Sequence, residues 1–345
     1  MKTIRWKDGV VITVDQTLLP HRLVHLKLRT PNQIAKAIKN MKIRGAPLLG
    51  AAAALALAQT VYKSKAKSRA SLLKELQKTA VLIKTTRPTA VNLFNSVDAV
   101  LKMAEEHPCS LKELRRYLIK KCLELIAEDA KVNRALSLHG AELIDTGDTV
   151  LTHCNAGELA TVEYGTALGV IAAAHRRGKN IRVIATETRP LLQGARLTAY
   201  ELKRKRIPFA LITDNMVGYL MAQGIIDKVL VGADRILMSG HVINKIGTYT
   251  IAVLAKEHGI PFYVAAPTTT IDSENSVEEV VIEERNPKEV LELGGLRIAP
   301  KGIKTFNPAF DITPPHLVSA LITEKGVIEV KPPKIRALLD ASDGR

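Results

Sequence analysis

Cys154 is the residue in this chain best placed to do chemistry. It sits in Thr152-His153-Cys154-Asn155-Ala156-Gly157, directly after the apolar Thr149-Val150-Leu151. A thiol at the C-terminal end of a short buried strand, followed by small residues and a helix, lies where open α/β sheets place their ligands. Asp234 follows Val229-Leu230-Val231-Gly232-Ala233 in the same manner, so parallel strands put an acid on the same rim as the thiol. A lone cytosolic cysteine is more often an inert core residue, and what sets Cys154 apart is its company. Glu187-Thr188-Arg189, Asp214-Asn215, Arg235 and Asp272 also fall at or near strand ends. Asp214 reads better as a helix N-cap than as a reacting group. His153 is not read as a Cys–His partner, because neighbours on a strand point to opposite faces.

Anion-binding signals come from both halves of the chain. Arg44-Gly45-Ala46 precedes a helix whose first amides suit a phosphate, with Arg44 supplying charge-assisted bonds. Arg87, within Thr85-Thr86-Arg87-Pro88-Thr89, stands before the next helix, and Asn244-Lys245 precede Ile246-Gly247-Thr248. Each arginine alone reads equally well as a loop salt bridge. Together with a thiol and a carboxylate, these loops suggest a small phosphorylated polar substrate handled without metal. The nine histidines form no H-x-x-x-H pair, and no calcium loop is present.

The elements that must position these groups divide in two. Residues 1–130 open with short strands at Val10–Val14 and Val24–Leu28. Helical stripes follow from Ile34 to Met41, Ala46 to Tyr62, Ser68 to Ile83, Ala90 to Ala104 and Leu111 to Ala127. Asn133 to Leu143 reads as a linking helix. Within 131–345, strand-like 149–151, 181–186, 209–213, 229–231 and 262–265 alternate with helix-length runs at 159–175, 191–205, 215–223 and 249–258. Such alternation predicts an α/β fold: a C-terminal Rossmann-like parallel sheet beside a smaller, mostly helical N-terminal domain carrying a small sheet. No G-x-G-x-x-G or P-loop follows any strand, which argues against a nucleotide cofactor. The tail from Gly326, including 341–345, reads as partly loose.

Bulk composition sets outer limits. The chain has 345 residues, 46% of them hydrophobic and 24% charged, as a globular protein would. The Ala-rich run 46–59 is too short to span a membrane, and no signal or transit peptide opens the chain. Three cysteines form no disulfide framework and have no metal-ligand spacing, so a reducing, cytoplasmic setting is expected. The net charge of +16 would attract anions. Its basic runs, however, adjoin helix faces and ends, and only 4% of residues are aromatic, so no specific nucleic-acid or membrane partner is expected.

The motifs carry the reading further. RGAP (44–47), TTRPTA (85–90), THCNAG (152–157), ETRPLLQGARLTAYEL (187–202), GADRI (232–236), NKIGTY (244–249) and NPAFDITP (307–314) resemble the methylthioribose-1-phosphate isomerase family over nearly the whole chain. The wider superfamily holds ribose-1,5-bisphosphate isomerases and initiation-factor-2B regulatory subunits. The resemblance implies an active site between the two domains, a homodimer and no cofactor. It makes Cys154 and Asp234 the catalytic pair and puts Arg44, Gly45, Ala46, Arg87, Gln193, Asn244 and Lys245 at substrate-binding positions. It implies conversion of 5-methylthioribose 1-phosphate to 5-methylthioribulose 1-phosphate in methionine salvage, by proton transfer or by a hydride shift. The alternatives are a related sugar 1-phosphate (5-deoxyribose 1-phosphate or ribose 1,5-bisphosphate) or a non-catalytic regulatory subunit. The chain departs from the family pattern at Leu48-Leu49, at Glu158 and across 237–243, which leaves the 5-position preference open.

Overall fold

The structure, a computed structural model, describes residues 1–87 and 90–340. Pro88 and Thr89 of the basic tract, and the tail 341–345, lie outside the described residues.

The chain opens with an antiparallel sheet of β1 (Ile4–Lys7), β2 (Val10–Val14) and β3 (His25–Leu28). Helices α1 (Pro31–Lys39), α2 (Ala46–Lys63), α3 (Arg69–Lys84) and α4 (Val91–Glu106) follow. Thr30 and Ser68 cap α1 and α3 by accepting from the amides of Gln33 and Ser71. α2 is apolar on every side and accordingly becomes the buried axis of this half, packed on α3, α4 and α5. Leu48 and Leu49, one departure from the family pattern, are buried in that core.

α5 runs unbroken from Leu111 to Ala141, so the expected helix ending near Ala127 and the linker 133–143 are one element. A Ser110–Glu113 capping box starts it. Leu114, Leu118, Cys122 and Ile126 bury its first half in the helical core. Its second half lies against the large sheet, where Gly140 leaves room for Val170 and Ile322.

That sheet is built from β4 (Thr149–Thr152), β5 (Arg182–Thr186), β6 (Phe209–Ile212), β7 (Lys228–Val231) and β10 (Phe262–Ala265), with β15 (Ala320–Thr323) and β16 (Gly326–Ile328) at one side. Its order is β16-β15-β10-β7-β4-β5-β6, all parallel except β16. The chain lays down β5 and β6 on one side of β4, then returns to place β7 on the other. The crevice at the ends of β4 and β7 is therefore a topological switch point, where such sheets bind ligands. A small second sheet joins β8 (Arg235–Leu237), β9 (Val242–Lys245), β11 (Ile271–Asp272) and β14 (Phe310–Thr313). It supports the rim beyond β7. A two-stranded ribbon, β12 (Glu292–Leu293) with β13 (Leu296–Arg297), follows the four-residue α10 (Lys288–Leu291).

Between strands run α6 (Ala167–Arg176), α7 (Ala199–Lys205), α8 (Val217–Ala222) and α9 (Thr248–Glu257), and α11 (Pro332–Asp340) closes the described chain. The expected helix 159–175 is corrected: a single 3-10 turn, Glu158–Ala160, precedes an irregular stretch, and α6 begins only at Ala167. The expected helix 191–205 is a π-helical segment, Gly194–Thr198, running into α7. No helix among the described residues is long and apolar enough to cross a membrane.

Candidate active site

One cavity of about 80 Å³ lies at the switch point, and Cys154, Asp234, Arg44, Gly45, Ala46, Arg87, Gln193, Asn244 and Lys245 all line it. Met41, Pro47, His153, Asn155, Pro267 and Phe310 share its wall.

Cys154 leaves β4 in a left-handed conformation, φ 63°. A non-glycine residue pays for that geometry unless its surroundings hold it. Here its N–H donates to Thr188 Oγ1 (2.9 Å) and its carbonyl accepts from Thr198 Oγ1 (2.6 Å). The strand ends at Thr152, so strand alternation is not what separates His153 from the thiol. His153 is instead buried, with Nδ1 on Thr186 Oγ1 (2.6 Å) and Nε2 on the Ile246 carbonyl (2.9 Å). Burial pulls its pKa down, so the neutral ring dominates. Both nitrogens are engaged, leaving none for the thiol.

The helix that follows the thiol motif does not begin at the thiol. At the start of α6, the amides of its N-cap Thr166 and of Leu168 donate to the Ala156 carbonyl at 2.9 and 3.2 Å.

Asp234 follows β7, the neighbour of β4, and its amide is fixed to the Ile243 carbonyl (2.9 Å). Its side chain keeps some surface toward the cavity but is otherwise enclosed by protein. Desolvation raises its pKa; Arg87, Lys245 and Arg235 oppose the rise, and Glu283 adds to it. A carboxyl held protonated beyond the usual range can act as a general acid.

Three cations surround this pair. Lys245 is half-buried, donates to the Ala309 carbonyl (2.7 Å) and lies 4.3 Å from the Phe310 ring centroid. Burial lowers its pKa, against the attraction of Cys154 and Asp234. Arg87 reaches Met41 Sδ (3.2 Å) and Glu283 Oε2 (3.3 Å), while its Nε is buried without a partner. Arg44 also lines the cavity and is held in place by its neighbours. Its two terminal nitrogens donate to Asn155, to Oδ1 at 2.6 Å and to the carbonyl at 2.7 Å. Burial lowers its pKa, yet a guanidinium stays charged.

Gly45 has φ 102°, and a Cβ there would fall 2.5 Å from Ala160 Cα. Only glycine lets the N-terminus of α2 reach the cavity. Asn244 Nδ2 donates to Thr248 Oγ1 (3.0 Å), steadying the start of α9. Gln193 is 4% exposed and its Oε1 has no hydrogen-bond partner, so the cavity wall presents an unmet acceptor. It precedes the π-helical segment, a feature common at functional sites. Gly194 permits that segment, since a Cβ would lie 1.7 Å from the Thr186 carbonyl oxygen.

The remaining strand-end groups play supporting parts. Asp214 does not cap its own turn. Its oxygens accept from the amides of Thr188 (2.8 Å) and Arg189 (2.7 Å), clamping the loop whose Thr188 holds Cys154. Arg235 pairs with Asp272 at 3.1 Å, and neither lines the cavity. Glu158, another departure from the family pattern, is buried and pairs with Lys205 (2.5 Å) and Arg204 (3.7 Å), tying α7 to the loop after the thiol. Residues 237–243 also stay off the cavity wall.

Reading from the sequence missed Asn155, Glu201 and Glu283. Asn155 had a signal, being inside the thiol motif. Glu201 lies in a strongly basic helix and reads as surface, yet it is 1% exposed. Glu283 lies outside any regular element and carries no local signal. Among the described residues no group of three or more His, Cys, Asp or Glu side chains is assembled for a metal ion.

A thiol and an acid whose pKa burial raises thus follow two adjacent parallel strands and line one cavity, with cations beside them, at the switch point of an α/β sheet. Comparison with known proteins then names the lineage. The model of the initiation factor 2 subunit family matches residues 42–330, and the chain belongs to that family. A methylthioribose-1-phosphate isomerase of Acetivibrio thermocellus is 52% identical over 330 residues, covering 95% of this chain and 96% of its own. A 5-deoxyribose 1-phosphate isomerase of Moorella thermoacetica is 52% identical over 335 residues, covering 96% of this chain and 94% of its own. The solved structure of 5-methylthioribose 1-phosphate isomerase from Pyrococcus horikoshii is 43% identical with a TM-score of 0.91, covering all of this chain and 96% of that one.

Proposed function

We propose that the protein is an aldose–ketose isomerase converting 5-methylthioribose 1-phosphate to 5-methylthioribulose 1-phosphate, with Cys154 and Asp234 as the catalytic pair. The observation that carries this reading is that these two side chains line one cavity together with Arg87 and Lys245. The relatives of that name, about half identical over nearly the whole chain, support the same activity.

The substrate carries phosphate on its anomeric carbon, so its ring cannot open as a free hemiacetal does. Asp234, protonated, gives its proton to the ring oxygen as the C1–O bond breaks. Cys154, as thiolate, takes the C2 proton, and that electron pair forms the C1–C2 double bond of an enediol-like intermediate. The Asp234 carboxylate then takes the O2 proton while Cys154 returns its proton to C1. Arg87 and Lys245 balance the phosphate charge, the first amides of α2 add donors, and Gln193 Oε1 accepts from a sugar hydroxyl.

The relative named for 5-deoxyribose 1-phosphate is equally similar, so that sugar is the second substrate to assay. The reading extends to a cytoplasmic homodimer of two-domain chains with no cofactor. The decisive experiment is turnover of both sugar phosphates by wild type, Cys154→Ser and Asp234→Asn. Loss of about 10²–10⁴-fold in each folded variant is expected for acid–base groups. Near-normal rates in both would overturn the assignment, and no turnover by wild type would favour a regulatory role. Deuterium from solvent should appear at C1 to the extent that the thiol proton exchanges before its return, whereas a hydride shift leaves C1 wholly unlabelled.

A further inference from the structure

Behind the cavity wall lies a hydrogen-bonded assembly that the proton transfers above do not use. Glu201, on α7, is fully enclosed, and among the described residues no cation pairs with it directly; burial raises its pKa, while the donors that converge on it favour the carboxylate. Its Oε1 accepts from Asn155 Nδ2 (2.9 Å) and the Leu159 amide (3.2 Å), and its Oε2 from the Glu158 amide (2.7 Å). The same Asn155 Nδ2 also donates to Thr198 Oγ1 (3.2 Å), the hydroxyl that holds the Cys154 carbonyl, while Asn155 Oδ1 and its carbonyl accept from Arg44. Gly157 makes the approach possible: a Cβ there would overlap the Glu201 carboxylate at 2.3 Å. A neutral amide thus bridges a buried guanidinium and a buried carboxylate, and the thiol-bearing turn is strung between them.

We propose that Glu201 is the positioning residue for Cys154, fixing the left-handed turn through Asn155 and the amides of Glu158 and Leu159, and offsetting the charge of Arg44. This rests on the isomerase reading only for its effect on turnover. Three donors converge on the carboxylate, so glutamine cannot replace it: its NH₂ would face one of them. Aspartate keeps the charge but falls a methylene short. The two substitutions separate the roles. Glu201→Gln leaves Arg44 less neutralised, which favours the thiolate nearby. Glu201→Asp preserves the field and loses the geometry.

The test measures iodoacetamide alkylation of Cys154 against pH, and turnover, in a Cys109→Ser background. In Glu201→Gln, alkylation should shift to lower pH while kcat falls by roughly 10²-fold, the cost of misplacing a reacting group by about 1 Å, with KM little changed. Glu201→Asp should lose kcat similarly with a near wild-type alkylation profile. A purely structural glutamate would lower Tm and leave both readings unchanged per folded molecule. Wild-type kcat in either folded variant, or an unmoved profile in Glu201→Gln, would overturn the proposal. If Glu201→Gln does not fold, kcat of Glu201→Asp decides. Wild type inert toward both sugar phosphates, with the alkylation shift intact, would sink the isomerase reading and leave the electrostatic role of Glu201 standing.

Discussion

Glu283 Oε2 lies 3.3 Å from Arg87 Nη2, so two residues 196 positions apart meet at the edge of the cavity. The pair bears on Asp234, which Glu283 pushes toward the protonated form and Arg87 pulls toward the ionised one. Replacing Glu283 by Gln removes the first influence and releases the second, and both changes lower the pKa of Asp234. An acid that must be protonated then works over a narrower range. The alkaline limb of the kcat–pH profile should move to lower pH, by less than about one unit for one neighbouring charge. A profile measured between pH 5 and 10 reads this directly, and an unmoved or upward-moved limb would refute it.

Gln193→Leu should separate binding from stability. The buried Oε1 has no partner, so an apolar side chain of similar size should hold or raise Tm. The substrate hydroxyl would lose an acceptor worth about 0.5–1.5 kcal/mol, a few-fold to tenfold in kcat/KM. Thermal melts and steady-state kinetics on one preparation test both halves. A large fall in Tm with unchanged kcat/KM would show that Gln193 serves the fold instead.

Gly45→Ala is expected to be costly for two reasons that act together. The backbone sits at φ 102°, and the new methyl would overlap Ala160. Strain and overpacking together should cost at least about 2 kcal/mol in urea unfolding. The start of α2 would be displaced with it, so activity should fall even in the folded fraction.

The cysteines should differ in reactivity. Burial pushes the Cys122 thiol up to about 12, so it should resist iodoacetamide at pH 8 until the protein unfolds. Cys154 lines the cavity and should react in the native protein, and a saturating sugar phosphate should protect it. Mass spectrometry of the alkylated peptides distinguishes the sites. Native-state labelling of Cys122, or no protection of Cys154, would contradict this picture.

How far the sequence could be read depended on the range of the forces involved. The apolar character of α2, the strand that leads into Cys154 and the strand that leads into Asp234 are local patterns, and each appears where periodicity places it. The switch point follows once the strands are ordered, which sequence spacing alone does not do. The helix misread at 159–175 shows the limit. Its composition is helical, but the Glu158 and Leu159 amides are taken by Glu201 and the Ala156 carbonyl by α6, so tertiary bonds break the first turns. Glu201 itself was hidden because a carboxylate among lysines and arginines looks solvated. Nothing short of the packed structure reveals that it faces inward.

The unbroken α5 has a mechanical consequence. A 31-residue helix is a rod of about 46 Å at 1.5 Å per residue. It is anchored along its first half in one core and along its second in the other, which makes it a strut and leaves little room for a hinge between them. Admission of substrate and escape of product should therefore fall to the rim, to the turn carrying Met41 and Arg44 and to the strap carrying Glu283.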